Sequence, residues 1–340
     1  MSKADAPSRF DRLSNWADQR HPGQVTQVTL AAGDASFRRY YRVTLADGST
    51  RMLMDAPPPQ EDIRPFVSIA RYWLQSGLPV PKIHGEDAEA GFVELEDLGD
   101  EPLNLPLESA DETTTKKYFD AALALIDELQ NRTSPEQLPP YDEEALGREL
   151  DLFPQWCLQR WLGMTELPRG WNALRRQLID SALEQPIVTV HRDYDAMNLM
   201  QHDGRLYLID FQDALAGPIS YDLISLLHGR YRRFSSQQRA KWITAFHQRA
   251  IADGRLGPDV DAATFALQVN AMAAQRAIKV LGIFCRLTLR DSREGYLARL
   301  PQFLEHLQDS LAELPGHEDF KTWLTSTFTP AMQAGKESAA

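Results

Sequence analysis

Residues 191–212 contain closely spaced acidic and amide side chains, in the stretches HRDYDAMNL and LIDFQ. The first stretch includes Asp193 and Asn198, and the second includes Asp210. Carboxylate and amide oxygens suit Mg²⁺, which usually completes its shell with substrate phosphates and water. A further carboxylate can accept a proton from an incoming hydroxyl group. These residue types therefore predict phosphoryl transfer, in which positioning and charge neutralisation supply most of the catalysis.

A predicted β-hairpin brings these side chains together. The turn sequence HDGR (202–205) lies between the apolar segments NLM and LYLI, and an Asp-Gly pair is typical of a two-residue hairpin loop. Such a loop fixes the register, so that Asn198 faces Ile209. We therefore expect Asn198 and Asp210 side by side at the open end of the hairpin, with Asp193 in the loop that leads into it.

The segments around this hairpin fall into two parts of different character. Strand signals dominate from about residue 24 to 98, and apolar residues at helical spacing dominate after residue 100. We expect an α+β fold with a small β-rich lobe over residues 1–98. The remainder, residues 99–340, is expected to form a larger, mainly helical lobe with an embedded β-hairpin, ending in a disordered tail at 331–340.

Local patterns also predict individual elements. The sequence ADGS (46–49) predicts a hairpin turn in the β-rich part, and Thr residues are expected to cap the helix that begins near residue 113. Helices are predicted at residues 10–19, 63–77, 113–130, 142–162, 170–184, 220–231, 235–253, 261–290 and 296–313.

The overall composition argues against several classes of protein. The formal net charge of −12 disfavours nucleic acid as a partner. No apolar run approaches the roughly 18 residues that span a bilayer, and no secretory signal is recognisable, so a cytoplasmic monomer without a membrane partner is expected. The two cysteines, Cys157 and Cys285, lack metal-ligand spacing and are expected to be buried thiols.

The motif spacing resembles that of a known family. The pattern H-x-D-x-x-x-x-N, followed by I-D-F-x-x-A-x-x-G-P-x-x-x-D-L, covers residues 191–223 and resembles the aminoglycoside phosphotransferase family. The order and lengths of the two lobes also fit, so the resemblance covers nearly the whole chain. It implies a bilobal protein-kinase-like fold, ATP and Mg²⁺ as cofactors, and a small-molecule hydroxyl as acceptor.

The resemblance also implies roles for individual residues. Asp193 would orient or deprotonate the acceptor hydroxyl, while Asn198 and Asp210 would hold Mg²⁺ on the ATP phosphates. His191 would brace the catalytic loop. Asp222 would anchor that loop through hydrogen bonds without touching the substrate.

Two segments of the β-rich part are expected to bind the nucleotide. A loop between two strands would cover the phosphates through backbone N–H groups of Gly33, Asp34, Ala35 and Ser36. The segment FVELEDLG (92–99) matches the crossover that seats adenine in this family. Backbone groups of Glu94, Leu95 and Glu96 would bind the adenine edge, and their side chains are expected to tolerate substitution.

One position departs from the family pattern. The family has a lysine on the strand after the ADGS turn, where this chain has Met54, and the following helix lacks the acidic partner of that lysine. Arg38, Arg39 or Arg51 could replace the lysine, and the sequence does not choose among them. A non-catalytic, nucleotide-binding kinase-like module therefore remains an alternative.

A second pattern concerns the acceptor. At 100° per residue, the side chains of a predicted helix place Arg276, Lys279, Ile283, Arg286 and Arg290 within about 80° of one another. This basic stripe is either a solvated helix face or an anion site. In the second interpretation the anion would be a substrate carboxylate or an ATP phosphate, and Arg276, Lys279 and Arg286 are the candidate substrate-binding residues.

The segment QRAIKVLGIFCRL, together with SFRRYYRV and MDAPPP, resembles the bacterial cell-wall-recycling branch of the family. That branch phosphorylates the anomeric hydroxyl of N-acetylmuramate and N-acetylglucosamine, so the resemblance implies an amino-sugar acceptor. The lactyl carboxylate of N-acetylmuramate would suit a basic stripe. An aminoglycoside or another small alcohol remains the alternative acceptor.

Overall fold

The computed structural model describes residues 8–33 and 37–339 and divides the chain into two compact units. The first consists of Met1–Leu105 and Met197–Asp213, and the second of Pro106–Ala196 and Ala214–Ala340. The boundary predicted between residues 98 and 99 stays a prediction.

The described residues form both strands and helices, as the α+β class requires. The strands are β1 (Val25–Gly33), β2 (Arg39–Leu45), β3 (Thr50–Asp55), β4 (Ile83–Asp87), β5 (Phe92–Glu96), β6 (Ile187–Val190), β7 (Leu199–His202), β8 (Arg205–Leu208) and β9 (Leu215–Pro218). The helices are α1 (Arg9–Arg20), α2 (Arg64–Gln75), α3 (Asn104–Leu107), α4 (Glu112–Arg132), α5 (Glu143–Leu150), α6 (Trp171–Leu183), α7 (Tyr221–Leu227), α8 (Ser236–Ala252), α9 (Ala262–Leu289), α10 (Leu300–Ala312), α11 (Glu318–Trp323) and α12 (Thr329–Ala339).

The first unit is built on a five-stranded antiparallel sheet in the order β1-β2-β3-β5-β4. The ADGS turn joins β2 to β3 as predicted, with Thr44 opposite Thr50. Helix α1 covers one face of the sheet, where Leu13 and Ala17 pack in a core with residues such as Val43 and Leu53. Burying such side chains contributes roughly 1.5–3 kcal/mol for each large aliphatic residue.

The predicted hairpin register is confirmed. Leu199 pairs with Leu208 and His202 with Arg205, and the two turn residues Asp203 and Gly204 have φ angles of 49° and 73°. Positive φ at both positions is the requirement of a type I′ turn, which fits the two-residue Asp-Gly loop that the sequence predicted.

The hairpin is held within the first unit by backbone hydrogen bonds on both of its edges. Leu208 donates to the carbonyl of Pro79 at 2.8 Å, and Leu103 donates to the carbonyl of Leu199 at 2.8 Å. Gln201 donates to Glu101 at 2.9 Å. These bonds explain why residues 197–213 group with a unit that is otherwise formed by the beginning of the chain.

The second unit is mainly helical and contains a two-stranded sheet in which β6 pairs with β9. Strand β9 was not predicted, because its sequence LAGP is short and contains Gly and Pro, which are rare within strands. The long helix α9 packs against α6, α7, α8 and α10. Among the described residues no helix is long and apolar enough to cross a membrane.

Several helix ends differ from the predictions. Helix α4 is capped by the carboxylate of Asp111, which accepts the N–H of Thr114 at 2.7 Å, and not by a threonine. The predicted helix 142–162 is α5 followed by a π-helix over Phe153–Trp161. The expectation of a disordered tail is wrong for the described part of it, because α12 continues to Ala339 and buries Met332.

The cysteine prediction is confirmed. Cys157 and Cys285 are both free and buried. They also contact each other, and burial raises the pKa of the Cys157 thiol well above its usual value.

Candidate active site

The segment that follows β6 is fixed by a buried carboxylate. Asp222, in the first turn of α7, accepts the backbone N–H of His191 at 2.7 Å and that of Arg192 at 3.0 Å. Arg192 has a φ angle of 77°, a left-handed conformation that costs about 1–3 kcal/mol and persists only where its surroundings enforce it. Burial raises the pKa of Asp222 to about 7, against the opposing effect of the two N–H donors and Arg276.

Asp193 is exposed between two fully buried neighbours, His191 and Tyr194. The Tyr194 hydroxyl donates to the carbonyl of Ala122 at 2.7 Å, and the His191 ring packs edge-on against Tyr194 with centroids 5.6 Å apart. The two rings therefore hold the backbone of the segment while the Asp193 carboxylate points outward. A carboxylate held in this way is accessible to the hydroxyl group of a small molecule.

Arg192 belongs to a buried charge network that the sequence did not reveal. Glu149 accepts from Arg192 at 2.8 Å and lies 2.9 Å from the ammonium group of Lys279. It also accepts the hydroxyl of Tyr141. Burial raises the pKa of Glu149, but Lys279 and Arg192 outweigh it and lower that pKa to about 2. The network links α5 and α9 to the segment that carries Asp193.

The basic stripe on α9 is divided in the structure. Lys279 is buried, so its interpretation as part of a solvated face is wrong. The guanidinium of Arg276 lies 5.3 Å from the ring centroid of Tyr221, and Arg290 pairs with Asp291 at 2.7 Å. Arg286 is partly buried, and burial and Arg290 lower its pKa. Substrate binding by Arg276, Lys279 and Arg286 stays a prediction.

Asn198 and Asp210 lie at the open end of the hairpin, in the first unit. A 3₁₀ turn over Ala196–Asn198 precedes β7, and the carbonyl of Asn198 accepts the N–H of Ile209 at 3.1 Å, as the predicted register requires. Asp210 has a φ angle of 61°, so the chain leaves the ladder at this residue. The hairpin therefore brings together the two residues predicted to bind metal.

Phe211 fixes the orientation of the chain beside Asp210. It is fully buried, stacks on Phe66 of α2 with ring centroids 4.9 Å apart, and contacts Trp73 at 5.2 Å. The side chain of Asp210 is itself 29% exposed. A buried aromatic residue thus anchors the chain immediately after a partly exposed carboxylate.

The donor atoms at this end of the hairpin fit Mg²⁺. Asp210 would contribute one carboxylate, which also accepts from Nε2 of Gln212 at 2.9 Å, and Asn198 would contribute one amide. The described residues contain no group of three or more His, Cys, Asp or Glu side chains that could hold a metal ion by themselves. Mg²⁺ commonly binds through one or two carboxylates and relies on substrate phosphates and water for its other ligands. Two protein ligands in this position are consistent with such a site.

The structure describes the residues on either side of the predicted phosphate loop, but not residues 34–36 within it. Gly33 is the last residue of β1 and pairs with Arg39 of β2. Asp34, Ala35 and Ser36 lie outside the described residues. The loop therefore joins two paired strands, and its contacts with phosphate stay a prediction.

The residues predicted to bind the adenine edge lie at the end of a paired strand. Glu94 and Leu95 lie in β5, which is paired with β3 on one side and β4 on the other, and the N–H of Glu96 donates to the carbonyl of Lys82 at 2.8 Å. The backbone of Glu94 and Leu95 and the N–H of Glu96 are therefore committed to the sheet. Adenine binding by this segment stays a prediction, and residues 97–99 are the part of it that lies beyond the strand.

The surroundings of Glu94 argue against the expectation that side chains in this segment tolerate substitution, which stays a prediction. Its carboxylate is 1% exposed, pairs with Arg20, and contacts His21 at 2.7 Å and Arg51 at 3.9 Å. Burial raises the pKa of Glu94, but Arg20 and His21 reverse the effect and lower it. These partners are distant in sequence, and no local pattern marks them.

Arg42 fixes the chain that follows β5. Its guanidinium donates to both carboxylate oxygens of Asp97, at 2.6 and 3.0 Å, and to both of Asp100, at 2.7 and 2.9 Å. A planar guanidinium bonded to two carboxylates in this way defines their positions closely. Sequence reasoning missed Arg42, although the acids in ELEDLGD were a signal that a cation must balance them.

Comparison with known proteins agrees with these observations. Residues 27–260 match the Phosphotransferase enzyme family. A protein of Neisseria meningitidis serogroup B, named N-acetylmuramate/N-acetylglucosamine kinase, is 36% identical over 92% of this chain and 98% of its own length. A protein of Pseudomonas putida with the same name is 37% identical over 90% of this chain and 93% of its own.

Solved structures give the same fold with little sequence identity. A choline/ethanolamine kinase family protein from Mesorhizobium loti has a TM-score of 0.62 at 14% identity, covering 97% of this chain and 100% of that one. The aminoglycoside phosphotransferase APH(2'')-Ib has a TM-score of 0.58 at 11% identity, covering 89% and 99%. The fold is protein-kinase-like and α+β, as predicted. The chain belongs to the phosphotransferase enzyme family.

Proposed function

We propose that this protein is an ATP-dependent sugar kinase that phosphorylates the anomeric hydroxyl of N-acetylmuramate and N-acetylglucosamine, in peptidoglycan recycling. The observation that carries this proposal is the identity of 36–37% with kinases named for these two sugars, over at least 90% of the chain. We further propose that it acts in the cytoplasm as a monomer.

The proposed reaction begins with a proton transfer to Asp193. As its carboxylate accepts the proton of the C1 hydroxyl, the sugar oxygen forms a bond to the γ-phosphorus of ATP, and the bond from that phosphorus to the ADP oxygen breaks. An anomeric hydroxyl is more acidic than an ordinary alcohol, which eases this transfer. The exposed position of Asp193 between two buried rings supports the assignment.

The other residues have positioning and binding roles. Asn198 and Asp210 would hold Mg²⁺, which when bound neutralises charge on the phosphates. Asp222 holds the backbone of the catalytic segment, and buried His191 braces it through Tyr194. Residues 97–99, fixed by Arg42, would bind the adenine edge.

An assay of ADP release tests the proposed function. Wild-type protein with Mg-ATP is given N-acetylmuramate, N-acetylglucosamine, and a panel of aminoglycosides and simple alcohols. We expect release with the two amino sugars and a product with phosphate on C1 by ³¹P NMR. Asp193→Asn should lower kcat by several orders of magnitude with an unchanged melting temperature, since the side chain is exposed. ADP release with aminoglycosides alone contradicts the proposal. If none of the acceptors gives ADP release, the protein is a binding module without turnover.

The acceptor carboxylate gives a sharper test. If Arg286 binds the lactyl group of N-acetylmuramate, Arg286→Ala should raise KM for that sugar by about 10- to 100-fold, the effect of losing one charge-assisted hydrogen bond. N-acetylglucosamine lacks the carboxylate, so its KM should change little. The exposed Arg290→Ala serves as control. An equal increase in KM for both sugars would show that Arg286 does not bind the carboxylate.

A further inference from the structure

We propose that Arg38 provides the positive charge that binds the ATP phosphates in place of the lysine missing from β3, and that Glu61 positions Arg38. The inference rests on the ATP-dependent phosphotransfer proposed above. It names which of three candidate arginines has this role and identifies its partner.

The position of the missing lysine is occupied by an apolar side chain. Met54, in β3, is 1% exposed and lies directly opposite Tyr40 of β2. Strand β3 therefore presents no cation there. A phosphotransferase that binds ATP still requires positive charge near the phosphates, because the transferred group carries several negative charges.

Arg38 lies beside this position. It immediately precedes β2 and is two residues before Tyr40, and alternate residues along an extended chain point to the same face. Because Tyr40 faces Met54, Arg38 is the diagonal neighbour of Met54 on that face. Arg38 is two residues after Ser36, the last residue of the loop predicted to cover the phosphates.

Two acidic side chains lie within ion-pair distance of the Arg38 guanidinium group. Nε of Arg38 is 3.6 Å from a carboxylate oxygen of Glu61, and Nη1 is 3.5 Å from Oδ1 of Asp210. The Arg38 side chain is only 10% exposed. The guanidinium is thus held against one acid and adjacent to the carboxylate proposed to bind Mg²⁺, where nucleotide phosphates would also lie.

Glu61 fixes both the side chain and the backbone of this corner. Besides its contact with Arg38, its carboxylate accepts the N–H of Phe37 at 3.3 Å. Glu61 lies before α2, whereas the family places its acidic partner within the corresponding helix. The cation and its partner have therefore both moved, which is expected because removing one member of a buried pair leaves a costly isolated charge.

The other two arginines have different surroundings. Arg39 is exposed and, as the next residue along the strand, belongs to the opposite face of the sheet from Arg38. Nε of Arg51 lies 3.9 Å from a carboxylate oxygen of Glu94, which is itself paired with Arg20. Of the three, Arg38 is the one that the structure places beside Asp210.

Calorimetric titration tests the role of Arg38 without relying on turnover. ATP, with Mg²⁺ present, and adenosine are titrated separately into wild type, Arg38→Ala, Arg38→Lys and the neighbouring control Arg39→Ala. We expect Arg38→Ala to weaken ATP binding by about 10- to 100-fold, the range for losing a charged hydrogen bond, with adenosine affinity nearly unchanged. Arg38→Lys should restore part of the loss, and Arg39→Ala should match wild type.

A double-mutant cycle tests Glu61. Glu61→Gln should weaken ATP binding less than Arg38→Ala does, and should add no further loss in the Arg38→Ala protein, because its effect acts through the arginine. Circular dichroism and melting temperature identify any variant that fails to fold, and Arg38→Lys then provides the comparison.

The outcomes separate this inference from the proposed function. Equal losses of ATP and adenosine affinity, or no loss of either, overturn the role of Arg38. A wild type that binds ATP but phosphorylates no sugar overturns the proposed acceptor, while the comparison of ATP with adenosine still decides the role of Arg38. A wild type that binds no ATP overturns both.

Discussion

At the scale of single residues, both carboxylates proposed to react or bind metal are followed directly by a fully buried aromatic residue. Tyr194 follows Asp193, and Phe211 follows Asp210. A ring packed into the core fixes the backbone, and the preceding side chain then projects from a rigid position. Preorganised groups of this kind need little rearrangement during a reaction, which is the main source of electrostatic catalysis.

Glu94 gives a residue-scale prediction. Glu94→Gln removes the charge that balances Arg20 while preserving the shape of the side chain, and breaking a buried pair costs about 3–5 kcal/mol. The matched control, two residues along the same strand, is Glu96→Gln. Glu96 pairs with the exposed Lys82 at 3.4 Å, so its loss should cost less than about 1 kcal/mol. Urea unfolding measures the free energy of unfolding of both variants. Equal values for Glu94→Gln and Glu96→Gln would contradict the predicted difference.

At the scale of elements, α9 approaches the start of the π-helix so closely that only glycine fits. A Cβ atom at Gly282 would lie 2.5 Å from the carbonyl carbon of Leu152 and 2.6 Å from the backbone nitrogen of Phe153. Backbone atoms cannot give way as a side chain can. The packing of these two elements therefore depends on a residue with no side chain.

This packing predicts opposite effects for two helical glycines. Gly282→Ala should destabilise the protein by about 1–3 kcal/mol, the usual cost of overpacking. Gly147 of α5 is the control, since its added Cβ would meet only the guanidinium of Arg175, a flexible group. Gly147→Ala should be neutral or stabilise by up to about 1 kcal/mol through helix propensity. Thermal and urea unfolding measure the stability of both variants. A Gly282→Ala protein as stable as Gly147→Ala would contradict the close backbone contact.

Features set by neighbouring residues were predictable at this scale, and features set by distant partners were not. The register of β7 and β8 follows from Asp203 and Gly204 alone, and it was predicted correctly. Strand β9 is stabilised by pairing with β6, and its sequence carries no strand signal. The contacts of Glu94 with Arg20 and His21 join residues more than seventy positions apart, which no local pattern marks. The same reason kept Glu61 out of the expected site.

At the scale of the molecule, two buried carboxylates affect stability in opposite directions as pH changes. The pKa of Glu149 is lowered to about 2 in the folded protein. Its contribution to folding stability is therefore present above its pKa in the unfolded chain, near 4.5, and is lost as pH falls toward 2. The pKa of Asp222 is raised to about 7 in the folded protein. Its contribution to folding stability is therefore present below its pKa in the unfolded chain, near 4, and is lost as pH rises through about 7.

These two groups predict a pH dependence of unfolding. Stability should fall on the acid side below about pH 4.5, and the difference in free energy of unfolding between wild type and Glu149→Gln should shrink as pH decreases there. Asp222→Asn should reduce the loss of stability between about pH 5 and 7. Urea unfolding from pH 3 to 8 measures both. Parallel pH curves for wild type and Glu149→Gln would show that Glu149 ionisation is not coupled to folding.

The discontinuous composition of the first unit has a consequence for biosynthesis. Backbone groups of Pro79, Glu101 and Leu103 obtain their partners from strands that appear about one hundred residues later in the chain. A nascent polypeptide therefore cannot complete this unit until the ribosome has released residues beyond Asp213. Until then, the segments that carry Pro79, Glu101 and Leu103 lack these hydrogen-bond partners, and a holdase chaperone could shield them.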